Sequence, residues 1–280
     1  MTPDSDSDIG PRSYAFPPGG LPNQSGDPAA NRAVFTTAYA FIPAGVQRDI
    51  VTSYLPSWEG TRAWILARPL TGFAETFAQY ALEVEPGGGS DAPEPDPTAE
   101  GVLFVAEGAG LLAFDGQTHD LAPGSYAYLP PGKTWFLKAI TRLRLHWIRR
   151  RFVPARGVPL PEAFVTSDAA TPIRWMPGTD LWGTTRFVDP LDLRHDCHVN
   201  VVTFRPPGRI PFAETHVMEH GLYVLQGTAR YLLNTDWVEV GPGDFMWLRA
   251  FCPQACIATG DGPFRYLLYK DVNRHPGLTL

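Results

Sequence analysis

Long apolar runs are absent from this 280-residue chain, and no stretch is long enough to span a bilayer. Cysteine is scarce. Cys197, Cys252 and Cys256 are too few for a disulfide scaffold, and an odd number fits a reducing compartment. Positive charge is in deficit, with 23 Lys and Arg against 29 Asp and Glu and a formal net charge of −6. Arg149-Arg150-Arg151, at an expected strand end, makes the only cationic run, so neither nucleic acid nor an anionic membrane is an expected partner. The opening residues, Met1 to Arg12, are acidic and polar and lack the apolar core of a secretory signal. A cytoplasmic protein is the expectation. Helical periodicity is weak throughout. Instead 27 Gly and 29 Pro are scattered along the chain, which favours many turns between short strands.

What is present points to an all-β protein in two halves. Residues 1–30 read as an extended N-terminal arm, rich in Pro, Gly, Ser and Asp. The spacing predicts a first barrel over 31–155, a Pro-rich connection over 156–180 and a second barrel over 181–280. An internal repeat supports this. Phe104-Val-Ala-Glu-Gly108 resembles Tyr223-Val-Leu-Gln-Gly227, Pro123-Gly124-Ser125 resembles Pro242-Gly243-Asp244, and Gly89 falls in line with Gly208. Each pair is 119 residues apart, as 227 less 108 or 208 less 89 shows. Short strands in two matching halves imply two tandem small β-barrels or jelly rolls.

Chemistry concentrates in the second half. Glu214, His216 and His220 sit at i, i+2 and i+6. In a strand, even offsets share one face, so three side chains able to hold a metal would meet. The spacing Gly208-x5-Glu214-x-His216-x3-His220-x6-Gly227 resembles the first motif of the cupin family, with the glutamate and first histidine exchanged. Gly243-Asp244, with Gln254 ten residues on, resembles the second motif, with Gln where His is usual. The candidate ligands are therefore Glu214, His216, His220 and Gln254. Carboxylate and carbonyl oxygens suit Mn²⁺, and two His with one carboxylate also suit Fe²⁺. Zinc ranks third, since it favours richer N/S ligation. A lone histidine is more often a core or surface residue, but here several positions fit one template. Cys252 and Cys256 read as small core residues beside a turn, without the second Cys/His pair a zinc site would need.

The first half acts as a control. Moving the ligand positions back by 119 gives Pro95, Pro97, Gly101 and Trp135, none of which can hold a metal. The nearby Glu94, Asp96 and Glu100 read as a solvated Pro-rich loop. In the last strand, Tyr266, Leu268 and Lys270 share a face. An inward Lys270 would imply an acidic ligand, because a buried ammonium is costly without an anion. Tyr231 and Met218 are candidate cavity residues, Met246 and Trp247 candidate apolar walls, and Arg249 is left undecided.

Longer strings narrow the resemblance. Glu214-Thr-His-Val-Met-Glu-His-Gly-Leu-Tyr-Val-Leu225, Arg249-Ala-Phe-Cys-Pro-Gln-Ala-Cys256 and Phe264-Arg-Tyr-Leu-Leu-Tyr-Lys-Asp-Val-Asn-Arg-His275 resemble the (S)-ureidoglycine aminohydrolase family of bicupins. Arg48-Asp-Ile-Val-Thr-Ser-Tyr-Leu-Pro56, Thr61-Arg-Ala-Trp-Ile-Leu-Ala-Arg-Pro-Leu70 and Tyr126-Ala-Tyr-Leu-Pro-Pro-Gly132 do so in the first half. The resemblance implies release of ammonia from (S)-ureidoglycine to give (S)-ureidoglycolate, in allantoin and purine breakdown. It implies Mn²⁺ on Glu214, His216, His220 and Gln254, and substrate contacts from Tyr231, Tyr266 and Lys270. Glu214 and Lys270 are the expected catalytic residues. A homo-oligomer acting on a small molecule is expected. The competing readings are a cupin Fe²⁺ dioxygenase, a non-enzymatic cupin binding domain and a storage-type bicupin.

Overall fold

The structure is a computed structural model and describes residues 33–47 and 55–271. The predicted arm at 1–30 lies outside them. Twenty strands run through the described residues. The first two are β1 (Val34–Phe35) and β2 (Tyr39–Ile42). The next four are β3 (Glu59–Ala67), β4 (Ala78–Ser90), β5 (Ala99–Glu107) and β6 (Gly110–Phe114). They are followed by β7 (Gln117–Leu121), β8 (Ser125–Leu129), β9 (Phe136–Ala139) and β10 (Leu143–Arg151). Two short strands follow, β11 (Phe164–Ser167) and β12 (Ile173–Trp175). Then come β13 (Trp182–Arg186), β14 (His198–Phe204), β15 (His220–Gln226) and β16 (Ala229–Leu233). The last are β17 (Asp236–Val240), β18 (Phe245–Leu248), β19 (Gln254–Ala258) and β20 (Phe264–Lys270). Among the described residues no helix is long and apolar enough to cross a membrane.

The protein is all-β and folds as two cupin barrels. The first sheet runs β11-β8-β5-β10-β4-β9-β6-β7, with β3 on β4. β4 turns a corner: its first half pairs with β3 and β10, and Gly89 and Ser90 pair with β9. The second barrel has an eight-stranded layer, β1-β2-β18-β15-β20-β14-β13-β12, and a three-stranded layer, β17-β16-β19.

The repeat survives strand by strand. β6 and β16 begin at Gly110 and Ala229, and β7 and β17 at Gln117 and Asp236, each pair 119 apart. The shared turns have shared causes. Gly108 and Gly227 have φ of 81° and 73°, and a Cβ on either would lie 2.0 and 2.3 Å from a backbone oxygen. Only glycine fits such a position. At the Pro-Gly turns, Ser125 Oγ accepts from Ala122 N (2.9 Å) and Asp244 Oδ2 accepts from Gly241 N (2.8 Å). A short polar side chain closing its own turn is ordinary turn chemistry.

The predicted boundaries need correction. β1 and β2 fall in the span assigned to the first barrel, yet β2 pairs with β18 of the second. β11, from the predicted connection, pairs with β8 of the first barrel. A strand of the first span thus covers an edge of the second barrel and a strand of the connection covers an edge of the first, pairings that periodicity cannot reveal.

The outer faces of the two large sheets form a joint core, in which Phe77, Phe104, Tyr126, Val201, Phe245 and Tyr269 are all buried. Phe77 stacks on Tyr269 with ring centroids 4.1 Å apart. A charged cluster lies at the same interface. Glu100 accepts from the Tyr128 hydroxyl at 2.6 Å and from the Cys197 thiol at 3.3 Å. Arg150 lies 3.7 Å from Glu100 and 3.5 Å from Asp196. Burial, and then Asp196, push the Glu100 carboxyl well above the usual range. The expectation of a solvated acidic loop therefore fails for Glu100, which is buried, and for Glu94, which pairs with Arg149. Asp96 is exposed as expected and caps Thr98.

Candidate metal centre

The ligand candidates come from two segments pinned together by backbone. Glu214 and Gln254 exchange two backbone hydrogen bonds, both 2.9 Å. The Phe251 amide donates to the His216 carbonyl at 2.6 Å. Phe251 has φ of 64°, a left-handed conformation uncommon for a bulky residue. Residues 215–219 form no strand; His220 opens β15 and Gln254 opens β19. Strand parity therefore does not bring these side chains together; a loop carries them round. Between the histidines, Glu219 points the other way. Its carboxylate accepts from the Glu75 and Thr76 amides at 2.8 and 3.1 Å, and its own amide donates to Asp271. This ties the loop to the first barrel.

Glu214, His216, His220, Gln254, Tyr266 and Lys270 all face one cavity of about 370 Å³. His216 Nε2 lies 3.3 Å from Glu214 Oε1, and the two imidazoles are 5.0 Å apart by centroid. Gln254 Nε2 lies 3.3 Å from His220 Nδ1. Tyr231 does not line the cavity. It is fully buried behind the site, and its hydroxyl donates to Gln254 Oε1 at 2.8 Å. Met218 lines the cavity. Met246 is in the barrel core and Trp247 in the joint core, while Arg249 is exposed.

The donor set fits a divalent ion on chemical grounds. His220 Nε2 is buried without a hydrogen-bond partner, a costly state that a cation would relieve. Burial, then Lys270 and His216, hold His220 well below the usual histidine range, so it is the neutral donor a metal requires. Oε1 of Gln254 keeps a second lone pair beyond the one Tyr231 uses. Burial keeps the Tyr231 and Tyr266 phenols protonated. Lys270 is lowered by burial, partly offset by Glu214, and lowered further by Arg186.

The register explains why these side chains meet. His198, Lys270 and His220 pair across β14, β20 and β15 in one row. Arg186, Asn200 and Leu268 form the next row, and Thr184, Val202 and Tyr266 the one after. Sequence reasoning passed over Arg186, His198 and Asn200, which also line the cavity. The available signal was the polar alternation His198-Val-Asn200 inside an apolar strand. Outside this site, Glu100, Asp196 and Cys197 lie close enough to share an ion, but the Arg150 guanidinium already sits beside both carboxylates and burial pushes the Cys197 thiol well up.

The cupin domain family matches residues 81–148 and 200–269. An Arabidopsis thaliana protein named (S)-ureidoglycine aminohydrolase is 32% identical over 250 residues, 89% of this chain and 80% of its own. The Escherichia coli (strain K12) protein of that name is 30% identical over 255 residues, 89% of this chain and 94% of its own. A Pseudomonas aeruginosa crystal structure, named for a glyoxylate induced protein, is 62% identical with a TM-score of 0.84. That match covers 92% of this chain and 97% of the other. The chain belongs to the cupin family and, within it, to the family of (S)-ureidoglycine aminohydrolases.

Proposed function

We propose, from that membership, that the protein releases ammonia from (S)-ureidoglycine to give (S)-ureidoglycolate, with Mn²⁺ held by Glu214, His216, His220 and Gln254. The observation that carries this reading is the single cavity faced by two imidazoles, a carboxylate, an amide and a half-buried ammonium. Oxygen-rich donors favour Mn²⁺, and Fe²⁺ is second. In the reaction a carbon–nitrogen bond breaks, a carbon–oxygen bond forms from water, and the amine leaves as ammonia. A bound divalent ion supplies Lewis acidity and a fixed orientation for the substrate.

The chain's own residues do the rest. Lys270, pushed down by burial, still offers positive charge to a carboxylate that enters the cavity. Glu214, beside His216, carries a proton between the incoming water and the departing amine. Tyr266 lines the cavity and orients the ureido group through its hydroxyl. Tyr231 acts through Gln254, fixing that amide from behind rather than touching substrate. The three free cysteines fit a reducing compartment, the cytoplasm. Association with further copies completes the proposal: Ile173–Trp175 ends the eight-stranded sheet and is an edge suited to it.

The test is ammonia release from ureidoglycine generated in place, with Mn²⁺ and with chelator. Release that needs Mn²⁺ supports the reading. Oxygen consumption that follows iron would replace it with a dioxygenase, and ligand binding without turnover would leave a binding domain.

A further inference from the structure

Asn200 is a buried amide that the proposed reaction leaves without a task. It is 3% exposed, lines the cavity, and its Oδ1 has no hydrogen-bond partner. An amide oxygen left unsatisfied in a protein wall is a costly state unless something fills it. The other polar groups of the row are equally suggestive. Arg186 is the register partner of Asn200 on β13 and lines the same cavity. On the opposite side Asn200 pairs with Leu268, which offers it nothing polar.

Position decides what Asn200 meets. Its row lies between the row of Lys270 and that of Tyr266. Rows on one face of a strand are about 7 Å apart. A small molecule anchored at Lys270 by its carboxylate and reaching toward Tyr266 must pass Asn200. The group there needs N–H donors for Oδ1 and an acceptor for the guanidinium. A carboxylate supplies only acceptors and an ammonium only donors. A ureido end supplies both, through its terminal NH₂ and its carbonyl.

The geometry points to Asn200 and Arg186 as the residues that select a ureido group. Asn200 Oδ1 accepts from the terminal NH₂, and Arg186 donates to the ureido carbonyl. This rests on the proposed reaction at the same cavity, and it goes further by naming which side chains read the substrate's far end.

Two stable probes separate the contacts. N-carbamoylglycine has the carboxylate and the ureido group but no leaving amine. N-acetylglycine carries a methyl where the terminal NH₂ would be. Calorimetric binding to the Mn²⁺-loaded full chain is expected to favour N-carbamoylglycine at least about tenfold, the scale of one well-made hydrogen bond. Asn200→Leu brings the ratio to about one, with metal content unchanged by elemental analysis. Asn200→Ala does the same if leucine disturbs folding by circular dichroism. Arg186→Gln weakens both probes about equally and leaves the ratio alone.

A ratio near one in the wild type, or an undiminished ratio in folded Asn200 variants, overturns the assignment. Unchanged binding of both probes in Arg186→Gln removes Arg186 from it. Ammonia assays on the same preparations keep the two readings apart. No ammonia from ureidoglycine, with the Asn200-dependent preference intact, sinks the reaction and leaves the ureido subsite standing. Ammonia release without that preference does the reverse.

Discussion

Where the second barrel has His220 the first has Gly101, and Gln254 and Tyr266 face Trp135 and Trp147 across the 119-residue repeat. These exchanges work together. A Cβ at Gly101 would sit 3.0 Å from Trp147 Nε1, so the missing side chain makes room for an indole. Trp58, Trp135 and Trp147 then pack on one another, with centroids 5.5 to 6.3 Å apart. All three are buried. One strand plan thus carries two fillings: an apolar plug of indoles, and a polar cavity of about 370 Å³. The plugged barrel is not idle, because its Glu75 and Thr76 amides hold Glu219 and so the loop that bears the histidines.

The comparison breaks most sharply at His220. His220→Ala is expected to abolish stoichiometric Mn²⁺ binding and turnover together, measured by elemental analysis and ammonia release. A variant that kept its metal would show that the second barrel is not distinguished by this residue. Lys270→Ala is expected to keep metal near the wild-type level while turnover falls at least about 10²-fold. Unchanged turnover would remove Lys270 from the site.

The plugged barrel should respond in a different currency. Trp147→Ala removes an almost fully buried indole and is expected to cost about 3–5 kcal/mol in urea unfolding. Metal per folded chain should stay constant. Tyr231→Phe deletes only the hydroxyl behind Gln254, and about a tenfold loss of Mn²⁺ affinity with little change in urea stability is expected.

Much of this contrast was legible in the sequence. Gly108 and Gly227, and the Ser125 and Asp244 turns, repeat because the same backbone strain and the same turn closure recur. The ligand candidates were legible as a spacing, although a loop and not a strand brings them together. Three things were hidden. The docking of β2 on the second barrel and of β11 on the first depends on tertiary edge pairing. The burial of Glu100 depends on Arg150 arriving from another strand. The inward Asn200 and Arg186 become visible only once the register with β20 and β13 is known.

A pH-dependent effect concerns His146 of the first barrel, whose counterpart Arg265 pairs with Asp168 at 2.7 Å. His146 is buried against Tyr223 at 4.0 Å. Burial, and then Arg144, push its pKa from 6.5 down to about 3. Between those values the unfolded chain binds the proton and the folded chain does not. This group therefore favours folding above pH 6.5 and withdraws that support as the pH falls toward 3, by at most about 1.4 kcal/mol per unit. His146→Phe should flatten the wild-type decline in urea stability between pH 7 and 4.5 by that group's share. Parallel curves would show that His146 does not carry it.

On the proposed function, one divalent ion belongs to the second barrel. Anomalous diffraction at the manganese edge from Mn²⁺-grown crystals would locate that ion. One peak per chain is expected among Glu214, His216, His220 and Gln254, and none among the three indoles. A peak at Glu100, Asp196 and Cys197 instead, or no peak in the second barrel, would contradict it.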